Sequence, residues 1–118
     1  MLFTRFEEIK AWQKAMVLAD DIYTLLADSK DYGFNDQIQR AAVSVMNNIA
    51  EGFERNNNRE FHHFLRIAKA SCAEVRSMVY LAKLRQKISN ENGDKLLQET
   101  ESISKMISSL MKTLNPTR

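Results

Sequence analysis

Apolar residues recur along this chain at alternating steps of three and four, interrupted by short polar stretches. In the first run Ile9, Trp12, Met16, Ala19, Tyr23 and Leu26 form one stripe, with Ala15, Leu18, Ile22 and Leu25 beside it. That spacing predicts an amphipathic helix with a broad apolar face. Thr4 followed by Glu7 suggests a capping box at its start. The stretch "ADSKDYG" ends it, with Gly33 free to take a positive φ. A second helix is expected from an Asn35 cap through Ile38, Ala42, Val45, Ile49 and Phe53. A third carries Phe61, Leu65, Ala68, Cys72, Val75, Val79 and Ala82. The polar "KISNENGDK" separates it from a fourth with Leu96, Thr100, Ile103, Ile107, Leu110 and Leu114, which Asn115-Pro116 stops. Four such helices on short connections predict an all-α fold, an antiparallel up-down four-helix bundle.

The junction "GFERNNNREFHH" reads as a turn. Helix two should end near Glu54 or Arg55, with Asn57 or Asn58 capping helix three, because a short amide side chain accepts bonds from the orphan N–H groups of a first turn. Gly52, one turn earlier, either loosens the last turn or permits a close helix contact.

Composition narrows the class. The 118 residues suit a single domain over 1–118, and three Gly, one Pro and six Met fit an all-helical chain. The lone Cys72 excludes an intramolecular disulfide and a cysteine zinc cluster, which suggests a reducing, cytoplasmic setting. No apolar run approaches the ~18 residues of a membrane span, and "MLFTRFEEIK" lacks the apolar core of a signal peptide, so no membrane partner is expected.

Candidate chemistry is sparse. Glu60 and His63 have the Glu-x-x-His spacing of di-iron bundles, but those sites need two such motifs and two further inward carboxylates. With only His62 and His63, adjacent and about 100° apart on a helix, the ligand set is incomplete and no metal or cofactor is expected. Cys72 lies on the apolar stripe, where a thiol behaves as a small hydrophobe. Asn48, Glu51 and Arg55 share a helix face and suggest a structural polar network. The sequence therefore predicts no enzyme.

Charge gives the positive hint. Between Arg55 and Lys87 stand eight basic residues against two acidic ones, in a chain whose net charge is only +2. Arg66, Lys69, Arg76, Lys83 and Lys87 share one face of helix three with Tyr80, a basic stripe roughly 30 Å long at the helical rise. Arg40, Arg55 and Arg59 are secondary candidates. Such a stripe suits contact with nucleic-acid phosphates, RNA or DNA, without base readout. It equally suits pairing with acids of another helix, subunit or protein partner, for which Asp20, Asp21, Asp28, Glu99 and Glu101 are available. The doubled apolar stripe of helix one favours a homo-oligomer.

The segment "QIQRAAVSVMNNIAEGFERNNNREFHHFLRIAKASCAEV" also resembles the four-helix-bundle proteins encoded in intervening sequences of bacterial large-subunit ribosomal RNA genes. The matching positions are Gln37, Arg40 to Ala42, Asn48 to Gly52, Arg55, Glu60, Phe61, Phe64 to Ala68, Ser71 and Glu74. Gln39 stands where that pattern is often basic, and Ala70 where it usually has glycine. The resemblance implies a left-handed up-down bundle, commonly a ring-like homopentamer, and brings no established activity. The accessory variability determinant of diversity-generating retroelements is similar in fold and oligomer, and that protein binds nucleic acid and a reverse transcriptase.

Overall fold

The computed structural model describes residues 3–114. Four helices follow one another, α1 (Lys10–Leu25), α2 (Tyr32–Glu54), α3 (Asn58–Leu84) and α4 (Asn90–Thr113), after a short 3-10 turn at Phe6–Glu8. Each packs on its chain neighbours and α4 returns to α1, while the diagonal pairs do not approach, which is the up-down bundle. The body measures 47 × 21 × 20 Å.

The periodic stripes become one core. On α3 every expected position, Phe61, Leu65, Ala68, Cys72, Val75, Val79 and Ala82, is buried. Ile38, Ala42, Val45 and Ile49 of α2 and Leu96, Ile103 and Ile107 of α4 meet them on the axis. On α1 the expectation needs correcting. The deep stripe is Ala11, Ala15, Leu18, Ala19 and Ile22, whereas Met16 and Tyr23 are 42% and 49% exposed. Trp12 is only half-buried, its ring edge-on to Phe6 at 5.1 Å between centroids. Small alanines let α1 sit close to the axis, and that rotation turns Met16 and Tyr23 outward.

The helix ends differ more from expectation. Thr4 bonds to Glu8, not Glu7, with its backbone N–H 2.8 Å from Glu8 Oε1. Glu7 turns instead to Arg5 at 3.1 Å. α2 starts before Asn35, because Asp31 is the cap and accepts from the Phe34 N–H at 3.3 Å. Asn35 is buried inside the first turn and donates to the Ser29 carbonyl at 3.0 Å. Gly33 therefore lies in the helix, and no glycine has positive φ among the described residues. The α2–α3 turn follows the reading: α2 ends at Glu54, Asn56 takes φ 54, and Asn57 accepts from the Glu60 N–H at 3.0 Å. Ser89 caps α4 by accepting from the Asn92 N–H at 3.0 Å, so most of "KISNENGDK" is already helix. The Asn115-Pro116 stop lies outside the described residues.

Candidate nucleic-acid interface

The α3 stripe is one residue round from the core positions, so its side chains emerge along an edge that α4 also borders. α3 and α4 run antiparallel, with Cys72 Sγ donating to the Thr100 carbonyl at 3.3 Å and Arg76 3.9 Å from Glu101. This register divides the stripe in two.

In the C-terminal half the cations are spent within the chain. Lys83 pairs with Asp94, and its stem lies across Gly93 so closely that a Cβ there would collide with Lys83 Cγ. Lys87 reaches Asp31 at 2.7 Å and sits 5.3 Å from the Phe34 ring. The Lys87 ammonium, by hydrogen bonding to Asp31, holds that carboxyl below its ordinary range. Arg76 meets Glu101, which also holds Lys105 at 3.2 Å.

In the N-terminal half the opposite edge of α4 carries no acid. Beyond Glu101 the α4 positions that follow the same edge are Lys105, Ser108 and Lys112. Arg66 and Lys69 are exposed and have no ion-pair partner among the described residues. Arg59 precedes them on α3, exposed and engaged in a contact of its own. Cations with and without an acidic partner thus separate along α3, where the sequence predicts one uniform stripe. The Lys83–Asp94 pair arises only through the α3–α4 register, and nothing along α3 alone signals it.

The remaining candidates are scattered. Arg40 pairs with Asp36 at 2.9 Å on the exposed side of α2. Arg55 lies between Glu51 at 3.2 Å and Glu60 at 3.6 Å, its guanidinium 4.9 Å from the Phe64 ring centroid, and so clips the α2–α3 corner. Asn48 donates instead to Ser44, whose hydroxyl is 2.8 Å from that of Ser71 on α3. The expected network of Asn48, Glu51 and Arg55 is thus placed in two separate clusters.

The thiol of Cys72 is pushed up to about 11, by burial first. His63 is exposed and His62 half-buried. No group of three or more His, Cys, Asp or Glu side chains converges among the described residues. No helix among them is long and apolar enough to cross a membrane.

The model of the 23S rRNA-intervening sequence protein family matches residues 7–109, the whole of α1 to α3 and most of α4. The chain belongs to that family. A solved structure from Bacteroides thetaiotaomicron, a protein with unknown function from the S23 ribosomal protein family, shares the fold with a TM-score of 0.81. The match covers 86% of this chain and 98% of that one at 24% identity. Among curated proteins none matches. Within this intervening-sequence family member, the family model spans both halves of the α3 stripe and the corner held by Arg55.

Proposed function

We propose that this chain is a non-catalytic helical bundle that binds the phosphate backbone of RNA or DNA. The contact is the α3–α4 edge at the α3 N-terminal half. One observation carries the reading: α4 offers acids to Arg76 and Lys83, whereas Arg66 and Lys69 are exposed with no ion-pair partner among the described residues. Exposed cations without a counter-charge favour a polyanion, and the binding should be salt-dependent and indifferent to sequence. Tyr80, 53% exposed, stands further along the same helix and suits stacking on a base.

The test is fluorescence anisotropy of a labelled ribosomal RNA fragment across a salt series. The expected result is affinity that falls steeply with salt and is lost in Arg66→Glu/Lys69→Glu with helical content unchanged. Equal affinity in that variant overturns the assignment.

A second reading is assembly or protein docking through the outer faces. It is favoured by Leu81 and Leu84 on α3, 47% and 79% exposed, and by Met16, Val17 and Tyr23 on α1. The homopentamer implied by the resemblance would use such faces. Light scattering of Leu81→Asp/Leu84→Asp tests it: a smaller mass than the parent supports this reading, and an unchanged mass removes it.

A further inference from the structure

The seam between α1 and α4 is the least tightly packed of the four. α4 has 24 residues and α1 only 16, so the last turns of α4 are flanked by the segment before α1 rather than by a full helix. A groove of about 730 Å³ opens there, floored by Ile9, Met106, Leu110 and Leu114, with Lys10 and Lys105 at one end. Its volume falls within the roughly 300–1,000 Å³ typical of small-molecule sites, which favour gaps between the helices of bundles.

The two ends differ in chemistry. Lys10 has no ion-pair partner among the described residues, and Lys105 holds only an exposed i,i+4 pair with Glu101, which water screens. Towards Leu114 the floor is apolar. From Ser102, beside the lysines, to Leu114 the α4 backbone rises about 18 Å. Past the lysines in the other direction, Glu99 sits half-buried in a neighbouring hollow. Lys14 and Lys95 line that hollow with it and offset its charge, so the anion preference of the groove rests on Lys10 and Lys105 at its mouth and on the apolar floor beyond them.

We infer that this groove binds a single-chain anionic amphiphile, its alkyl tail along Met106, Leu110 and Leu114 and its carboxylate or phosphate head at Lys10 and Lys105. Lys105 lies on the outer face of α4, but every other groove residue named is away from Arg66 and Lys69, and the inference does not depend on the nucleic-acid reading. Met106 is an unbranched, adaptable side chain, suited to a flexible tail.

Isothermal titration of the full chain with dodecanoate, dodecyl phosphate and dodecyltrimethylammonium, each below its micelle concentration, tests it. Trp12, the sole tryptophan, next to groove residue Ala11, serves as a second reporter. One or both anions should bind at least tenfold tighter than the cation, and the tighter anion identifies the head group. Lys10→Glu/Lys105→Glu should abolish that preference, and Ser109→Phe should block binding from an exposed position that leaves the core intact. Equal affinity for anion and cation, or unchanged binding in folded Ser109→Phe, overturns the inference. So does binding that emerges only when residues 115–118 are deleted, which would assign the groove to the chain's own terminus.

Discussion

Gly52 of α2 lies directly against Phe64 of α3: a Cβ built on the glycine would be 2.6 Å from the Phe64 Cβ and 3.1 Å from Phe61 Cδ1. The Phe64 Cβ is fixed to the α3 backbone and cannot swing away, and the Phe61 ring is held in the core. Gly52→Ala should therefore force the helices apart, an overpacking cost of about 1–3 kcal/mol that exceeds the ~1 kcal/mol gained in helix propensity. Urea denaturation checks it, and a variant as stable as the parent would show that the corner yields freely.

The division of the basic stripe makes Lys83 a structural residue. Lys83→Glu should set like charges together at Asp94 and lift the stem off Gly93, at a cost of about 1 kcal/mol. RNA affinity should change far less than in Arg66→Glu. Comparable loss of affinity in both would mean that the whole stripe acts as one surface.

Cys72 should be inert in the folded chain. Its thiol is buried and raised to about 11, so almost no thiolate exists at pH 8. Reaction with an aromatic disulfide reagent should be slow in buffer and complete within minutes in denaturant. Rapid native labelling would place the thiol at the surface.

Glu99 makes the α1–α4 seam pH-dependent. Burial raises its pKa first and the nearby Asp21 carboxylate second, against the opposing pull of Lys95 and Lys14. The folded state therefore holds this proton more tightly than the unfolded state. The stabilisation is fully present below the unfolded value and is lost as pH rises through the folded one. Glu99→Gln should then be more stable than the parent at neutral pH, with the difference vanishing in acid. Asp31, Glu7 and Glu8 have the opposite sign, since their lowered values add stability that disappears as pH falls. Thermal melts of both proteins from pH 4 to 8 separate the two contributions.

Asn57 is the α3 cap, and Asn57→Ala should cost about 1 kcal/mol, against a few tenths for Asn57→Gly. A melt in which alanine and glycine are equivalent would show that the Oδ1 bond to the Glu60 N–H contributes little.

How much was legible in the chain follows from the range of the forces involved. The α3 core positions, the Asn57 cap and the four-helix count depend on spacing within a turn or two, a property carried by neighbouring residues alone. The rotation of α1 could not be read this way, because two adjacent apolar stripes are equally helical and only the partners choose which turns inward. The start of α2 was misplaced although its cap is local, since Asp31 accepts from the Phe34 N–H three residues on and Lys87 adds a tertiary contact that the chain neighbours do not show.

The candidate site shows the same boundary. Sequence alone determined that α3 carries a line of cations, since their spacing matches the helix repeat. Only the tertiary structure decided which of them remain available. Asp94 and Glu101 face Lys83 and Arg76 in one half and no acid faces Arg66 and Lys69 in the other, and that assignment exists only once α4 lies antiparallel in its observed register. Ion pairs between helices depend on distances of a few ångströms across the bundle, and no pattern along a single helix encodes them.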